Sequence, residues 1–427
     1  MNISRTVWFV GIFICFFLHF EENMYAQQVE QIPRFTNPVT FEREIGVTGI
    51  PDEYLIVWRN FKFDVALNGD IYIFDEYKVK IFDRNGKPKA IFGQRGQGPG
   101  DFEGDIRRDD FKIDISPKGF LTICEYQFLN VFSPLNRLLK KERYYNIPGM
   151  ELFGLSASSF SPASINLYSI IALNEKEMII EGDNAYYTNR KGPYKERIVY
   201  VKDGAVTTIA EYDLVNFLPY FESERSYTRS SLMGLGFLLF TVLPDNRILY
   251  THTYHDAKIL SKQGIITIHL SSLDGTLKKD FDVTYELMDF DKAQIEDLKN
   301  SRSPQQREVH KLLLKYAQER KYQAINMGNG DILMVDGETL FIGISPSRYE
   351  NKQLFEVYKV INLQTCKVIG EVDFLHPKGG SSFSSDFLIR NGNLYLAYRP
   401  YDRPSIRADN PFPSIRIYRI DPQVYGK

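Results

Sequence analysis

Two aspartates occupy matching places in neighbouring copies of one sequence pattern. Asp64 lies three residues after Phe61, and Asp114 lies three residues after Phe111, so the two carboxylates are fifty positions apart. Carboxylates that face one cavity supply the oxygen ligands that calcium prefers. The pair therefore allows a calcium site, although two acids are few for one. The alternative is that each acid pairs with a neighbouring lysine or with a turn amide.

A second set of residues places an aromatic ring beside a charged or polar side chain. Such pairs suit carbohydrate, peptide or protein ligands, because stacking and hydrogen bonding act together. The alternative is structural, with the acids capping turns and the tyrosines covering the rim. The candidate ligand-binding residues are Asp75, Glu76, Tyr77, Glu125, Tyr126, Tyr254, His255, Arg399 and Tyr401.

One short cluster has the residue types of a metal site or a catalytic base. His252, His255 and Asp256 form an H-x-x-H-D sequence at the end of an expected strand. No third ligand follows at a spacing typical of zinc, which favours ordinary surface residues. Residues 154–158, GLSAS, begin with glycine and have serine at the centre, but they lack the second glycine of the GxSxG nucleophile elbow.

The elements that position these residues are short strands in a repeated unit. Residues 61–92 contain four runs of alternating apolar residues, with tight turns at Asn68-Gly69 and Asn85-Gly86. The pattern recurs from Phe111 to about Tyr144, which predicts a supersecondary repeat, the blade of a propeller. The 27 Tyr and 31 Phe also favour an all-β protein.

Four further units with the same rhythm predict a ring. They cover residues 170–212, 237–283, 322–374 and 387–420, and the fifth unit is expected to turn at Asn329-Gly330. The sixth unit ends one strand short, whereas residues 39–45 read as a strand without a partner. We therefore predict a six-bladed β-propeller whose last blade is completed by an N-terminal strand, which removes exposed sheet edges.

Residues 71–102, IYIFDEYKVKIFDRNGKPKAIFGQRGQGPGDF, resemble the NHL-repeat family of β-propellers. That family's repeats join a strand ending in an acidic residue, a strand ending before an Asn/Gly turn, and a phenylalanine-glycine step into a Gly-Pro-Gly loop. The resemblance implies a six-bladed ring for the mature chain. It implies no activity, because such propellers include binding modules and a few enzymes. Lys78 and Phe128 stand where the family often has an arginine, so no ligand residue is carried over.

The connections between strands differ in length on the two faces of the predicted ring. Those between first and second strands and between third and fourth strands are short, and the long segments all belong to the other two kinds of connection. Long connections collected on one face are typical of a binding face. The long segments are residues 93–110, 148–168, 213–236, 287–321, 336–352 and 399–413.

The N-terminal residues and one insertion differ from the repeats. Arg5 precedes an apolar run over residues 7–20, and cleavage is expected near Ala26, which predicts a signal peptide over residues 1–26. A retained membrane anchor is the alternative. Residues 27–427 then form a single propeller domain, secreted or periplasmic and without a membrane span. Capping boxes predict a small helical insertion at about 289–320, between blades 4 and 5.

The formal net charge of -2 argues against nucleic acid as a partner, because phosphate binding needs a basic surface. The favoured function is therefore a binding module, without a cofactor, that recognises a protein, peptide or glycan through its long-connection face. The alternative is a calcium-dependent hydrolase or lyase at the central channel, with Asp64 and Asp114 as metal ligands.

Overall fold

Six separate sheets hold most of the regular structure of this chain, and helices are few and short. The computed structural model describes residues 32–47, 49–58, 60–103, 111–125, 127–153, 167–184, 195–214, 217–220, 226–229, 237–260, 263–287, 300, 333–344, 348–350, 353–375, 387–399 and 413–427. No helix among these residues has the length and apolar character needed to span a bilayer.

Each blade has four main strands, called a to d from the innermost outwards. The b strands are the most buried, because neighbouring blades cover both of their faces, and every residue of the b strand of blade 1 is buried. Blades 1 and 2 contain β3 (Lys62–Val65), β4 (Ile71–Asp75), β5 (Lys78–Phe82), β6 (Pro88–Phe92), β7 (Lys112–Ile115), β8 (Leu121–Cys124), β9 (Phe128–Phe132) and β10 (Leu138–Arg143).

Blades 3 and 4 have longer outer strands, and the d strand of blade 4 alternates between buried and exposed residues because only one face is covered. A hairpin of β15 (Phe217–Tyr220) and β16 (Ser226–Arg229) lies between the two blades in the chain, and β19 (Ala257–Leu260) pairs with β20. The main strands are β11 (Leu167–Ala172), β12 (Glu177–Asp183), β13 (Lys195–Lys202), β14 (Ala205–Asp213), β17 (Leu238–Val242), β18 (Arg247–His252), β20 (Gln263–Ser272) and β21 (Lys278–Glu286).

Blades 5 and 6 are joined to both chain ends. A short strand, β24 (Arg348–Glu350), also pairs with β25. The main strands are β22 (Leu333–Asp336), β23 (Thr339–Ile342), β25 (Gln353–Asn362), β26 (Lys367–Leu375), β27 (Phe387–Arg390), β28 (Asn393–Tyr398), β29 (Ser414–Ile420) and β2 (Val39–Ile45).

The predicted closure of the ring is confirmed. β2 pairs antiparallel with β29, so the N-terminal strand is the d strand of blade 6. The a strands of blades 1, 2 and 3 contact one another in sequence, and those of blades 4, 5, 6 and 1 do the same. The chain is therefore a six-bladed β-propeller.

A second N-terminal strand was not predicted. β1 (Arg34–Thr36) pairs in parallel with β26, the outer strand of blade 5, just before the chain enters blade 6. The Arg34 guanidinium donates two hydrogen bonds to Oδ2 of Asp373, which is buried. The N-terminal segment thus joins blades 5 and 6 side by side.

The predicted first hairpin of blade 5 is wrong. The structure turns at Gly337-Glu338, between β22 and β23, whereas Asn329-Gly330 lies outside the described residues. Asn329-Gly330 is the more typical turn dipeptide, but the apolar strands on either side of Gly337-Glu338 pair with each other and place the hairpin turn there. Residues 336–352 are therefore not a single long connection, because they contain this turn, β23 and β24.

The other connections divide between the faces as predicted, with tight turns after a and c strands and longer segments after d strands. The b–c connections of blades 1 and 2 are short, whereas those of blades 3 to 6 are long. The face with the longer segments is called the long-connection face below. The signal peptide and the 289–320 helical insertion, apart from residue 300, lie outside the described residues.

Aromatic side chains fill the spaces between blades. Phe74 of β4 stacks on Phe111 at the start of blade 2, with ring centroids 4.7 Å apart, and Phe102 meets Phe74 edge-on at 5.0 Å. These three rings are essentially inaccessible to solvent. Because one ring comes from each blade and one from the connection between them, the repeat unit alone cannot complete its core.

Removal of β2 is expected to prevent folding. A chain that begins at residue 47 leaves the β29 edge of blade 6 unpaired, and exposed edges of this kind aggregate. A chain that begins at residue 38 loses only β1, and we expect it to stay soluble with a lower melting temperature. Soluble yield and thermal melting of both, beside the parent from residue 27, check this. A soluble chain from residue 47 that melts like the parent contradicts closure by β2.

Candidate functional site

The acid at the end of the b strand of blade 1 joins segments of the fold. Asp75 is fully buried and accepts hydrogen bonds from the backbone N–H groups of Val57 and Trp58, at 3.1 and 2.8 Å. Its third donor is Nζ of Lys80 at 2.5 Å, which also donates to the carbonyl of Leu55. The buried ion pair therefore fixes the segment that leads from blade 6 into blade 1.

The matching acid in blade 2 makes matching contacts. Glu125 accepts a hydrogen bond from the backbone N–H of Glu103 at 2.5 Å and another from Nδ2 of Asn130. Asn130 lies five residues after Glu125, as Lys80 does after Asp75. In blades 1 and 2 the strand-end acid thus holds the connection that enters its own blade. Tyr126 lies outside the described residues.

The strand-end residue of blade 6 acts on the same connection as Asp75. Nη2 of Arg399 donates to the carbonyl of Phe61 at 3.0 Å, and the guanidinium lies over the Phe61 ring at 5.1 Å. Arg399 is only 9% exposed. Tyr401 lies outside the described residues. Asp75 and Arg399 therefore meet at one seam, between blades 6 and 1.

The histidine cluster lies at another seam, between blades 3 and 4. His252 is fully buried, and its Nδ1 accepts the backbone N–H groups of Tyr254 and His255, both at 3.1 Å. His255 is exposed and contacts the carbonyl of Asp213 through Nε2 at 2.8 Å. These contacts engage one nitrogen of each histidine, Nδ1 of His252 and Nε2 of His255. No group of three metal-ligating side chains is found among the described residues.

Asp256 connects this turn to the outer strands. Its Oδ2 accepts the backbone N–H of His252 at 2.6 Å and the hydroxyl of Tyr212 at 2.9 Å, while Oδ1 lies 3.2 Å from Nε2 of His269. Burial alone would raise the pKa of Asp256, but these hydrogen bonds outweigh it and the pKa is lowered. The Asp256 carboxylate is therefore ionised and satisfied by protein donors.

The two channel aspartates lie on the a strands of blades 1 and 2. Asp64 accepts the N–H of Val65 through Oδ1 at 2.7 Å and the N–H of Ile115, in blade 2, through Oδ2 at 2.5 Å. Burial raises the pKa of Asp64, against the charge of Arg390 and the two hydrogen bonds. Asp114 lies on β7, the a strand of blade 2, and is partly exposed. Asp64 thus already bridges two blades.

The b–c turn of blade 1 holds the remaining candidates. Glu76 and Tyr77 both adopt left-handed backbone conformations, with φ of 50° and 64°. Tyr77 is buried, meets Phe111 edge-on at 6.1 Å, and carries the Arg95 guanidinium over its ring at 5.4 Å. Glu76 is exposed. The turn therefore anchors the tyrosine and presents the carboxylate to solvent.

Blade 2 contributes an aromatic and basic group that the sequence analysis missed. The Arg143 guanidinium lies over Phe128 at 5.4 Å and over Tyr145 at 5.9 Å, and donates to the Tyr145 hydroxyl at 3.0 Å. Arg143 and Phe128 face each other across β9 and β10. The sequence did contain a signal for this pair. The repeat places Phe128 at the start of one strand and Arg143 at the end of the next, where the two residues face each other.

The predicted site residues therefore do not form one cluster. Asp75 and Arg399 lie at the seam of blades 6 and 1, Glu125 at the seam of blades 1 and 2, and His255 at the seam of blades 3 and 4. What they share is the long-connection face. Any ligand that touches several of them must span more than one blade.

No family model matches this chain, and no curated protein matches it by sequence. Solved structures do resemble it. Oligogalacturonate lyase from Vibrio parahaemolyticus has 10% identity, covers 90% of this chain and 98% of its own, and has a TM-score of 0.40. The calcium-binding protein regucalcin from Agrobacterium tumefaciens has 10% identity, coverages of 91% and 96%, and a TM-score of 0.36. A WD40 domain from Neurospora crassa has 9% identity, coverages of 84% and 88%, and a TM-score of 0.34. These likenesses concern the fold and assign no activity.

Replacement of Asp75 is expected to destabilise the protein far more than replacement of its exposed neighbour. Asp75→Ala leaves the Lys80 ammonium buried and unpaired, which costs about 3–5 kcal/mol of unfolding free energy. Glu76→Ala shortens an exposed side chain, and alanine at position 76 meets the same left-handed backbone conformation as glutamate. We therefore expect a change in unfolding free energy within about 0.5 kcal/mol. Urea denaturation of both variants measures the difference. Equal losses would show that the Asp75–Lys80 pair does not hold the blade entry.

Proposed function

We propose that the protein is a secreted or periplasmic binding module, exported by its N-terminal apolar segment, and that its long-connection face recognises a protein, peptide or glycan. The observation that carries this proposal is the conformation of Glu76 and Tyr77 on that face. Each left-handed residue other than glycine costs about 1–2 kcal/mol. Such strain is characteristic of ligand-contacting positions.

The opposite face provides the comparison. Its turns place glycine, asparagine or aspartate at most left-handed positions, as at Gly69, Gly119, Asp203 and Asn246, with Cys366 as the exception. This chain therefore uses favourable turn residues where only a tight turn is needed. The Glu76-Tyr77 turn serves a different purpose, because it presents an exposed carboxylate next to a buried tyrosine.

The neighbouring blade supports a ligand with both apolar and anionic groups. Phe128 and Tyr145 offer ring surface, and the exposed Arg143 between them uses one of its five N–H donors on Tyr145. A guanidinium already held against aromatic rings loses little side-chain entropy on binding. Glu76 and Arg143 therefore offer opposite charges at adjacent blades.

The catalytic alternative has less support from the contacts. A calcium site needs six to eight oxygen ligands, and Asp64 already satisfies two backbone N–H groups. The strand-end acids Asp75 and Glu125 are likewise engaged by the fold. Binding therefore requires no rearrangement of these carboxylates, whereas a calcium-dependent hydrolase or lyase would require it.

Substitutions on the long-connection face are expected to weaken ligand binding. The labelled chain from residue 27 is applied to a glycan array and a peptide array, and each ligand found is measured in solution. Glu76→Ala combined with Arg143→Ala should lower affinity by about tenfold or more, as for central contacts in other interfaces. The matched control is Glu175→Ala with Arg84→Ala, exposed residues in tight turns of the opposite face. A ligand lost with the control pair but kept by the first pair contradicts the proposal.

Removal of divalent cations is expected to leave the melting temperature unchanged. A calcium ion at a hundredfold excess over its Kd would add about 2.7 kcal/mol to the unfolding free energy, which is visible as a shift in melting. Thermal melting in a chelator and in added calcium measures it, with Asp64→Asn as the variant that removes the channel charge. A calcium-induced rise that Asp64→Asn abolishes would support the metal-dependent alternative.

A further inference from the structure

His252 holds the 253–256 turn in a way that depends on its protonation. Its Nδ1 accepts two backbone N–H groups, so this nitrogen carries no proton, and the ring proton must lie on Nε2. Nε2 faces Oε2 of Glu196 at 3.5 Å, and both side chains are fully buried. The neutral imidazole is thus the cap of the turn that carries Tyr254 and His255.

The titratable groups around His252 come from five elements: β13, β14, the 253–256 turn, β20 and β21. Glu196 on β13 is the acid that faces its ring, and the next acid along the turn, Asp256, is already paired with His269 of β20. Nδ1 of His269 lies 2.8 Å from Oδ1 of Asp280 on β21. The titratable groups packed around this site are Glu196, Tyr212, Asp213, Tyr254, His255, Asp256, His269 and Asp280.

Protonation of His252 would convert its cap from an acceptor to a donor. The added proton goes to Nδ1, where it faces the two N–H groups of Tyr254 and His255, so both backbone hydrogen bonds are lost. Glu196 cannot compensate at that position, because it faces Nε2, which carries a proton in both states. Burial lowers the pKa of His252, and the contact with Glu196 only partly opposes this effect.

We propose that His252 is a pH-sensitive cap, which fixes Tyr254 and His255 on the long-connection face at neutral pH and releases them when it is protonated in acid. The inference builds on the proposed function, since it makes binding through blade 4 weaker at low pH. The contribution of His252 to stability is present above its unfolded pKa of about 6.5 and is lost as pH falls through its lower folded pKa.

His269 responds in the opposite direction and keeps the change local. Both of its nitrogens face carboxylates, so the imidazolium is favoured; burial alone would lower its pKa, but the hydrogen bonds to Asp256 and Asp280 raise it. Its stabilisation is complete below about pH 6.5 and is lost as pH rises through its folded pKa. Low pH therefore strengthens the contact between Asp256 and His269, while it releases Tyr254 and His255.

Hydrogen–deuterium exchange of the whole chain from residue 27, at pH 7.5 and pH 5.0, tests the proposal without any ligand. After correction for intrinsic exchange, the protection of the Tyr254 and His255 amides should be lower at pH 5.0 than at pH 7.5, because the two hydrogen bonds to Nδ1 are lost on protonation. Amides of β20 and β21 should keep their protection. Equal protection of the turn at both pH values would overturn the proposal.

Two variants identify the titrating group. In His252→Asn, Oδ1 takes the place of Nδ1 and can accept the same N–H groups but does not titrate, so protection of the turn should not depend on pH. In Glu196→Gln the buried negative charge is removed, so the pH midpoint of the loss should move lower. A pH-dependent loss that persists in His252→Asn, or a midpoint that Glu196→Gln does not move, contradicts the proposal. Because no ligand is used, these results leave the binding experiment independent.

Discussion

The contact that makes this ring cohesive is a hydrogen bond from the backbone of one blade to a polar side chain of its neighbour. The a strand of every blade is a sheet edge, and its outward N–H groups have no partner within the blade. Asp64 of blade 1 accepts from Ile115 of blade 2, and Thr122 of blade 2 accepts from Ala172 of blade 3. Asp336 of blade 5 accepts from two residues of the blade 6 turn. An unpaired buried group would cost about 1–3 kcal/mol at each such place.

The seam between blades 5 and 6 has further contacts because both chain ends meet there. β1 and β2 cross from one blade to the other, and the Tyr425 hydroxyl near the C-terminus donates to Asp336 at 2.8 Å. Burial, together with the charge of Asp336, raises the pKa of Tyr425, which keeps this hydroxyl protonated. The ring itself closes within blade 6, where β2 pairs with β29, and the contacts of β1 and Tyr425 hold the two chain ends against the neighbouring blade 5.

The use of polar side chains between blades restricts what remains for a ligand. Asp75, Glu125 and Arg399 were predicted as ligand residues because they end their strands beside aromatic or polar neighbours, and the same position brings them against the next connection. The exposed charged groups of that face include Glu76, which directly follows Asp75, and Arg143, the last residue of β10. His252 belongs to both sets, since it is buried at a seam and its cap positions the exposed His255. In the proposed function, stability and ligand recognition are therefore coupled at blade 4.

The repeat in the sequence was sufficient to predict the strands of most blades, the tight turns and the closing strand 39–45, because these depend on local alternation and on turn residues. It could not predict the parallel strand β1, since three residues are too few to show an alternating pattern. Nor did it find the turn at Gly337-Glu338, because Asn329-Gly330 is the more typical turn dipeptide and only the pairing of β22 with β23 decides. The backbone partners of Asp64 and Asp75 in other segments came from the tertiary structure alone, because a backbone N–H leaves no mark on residue type.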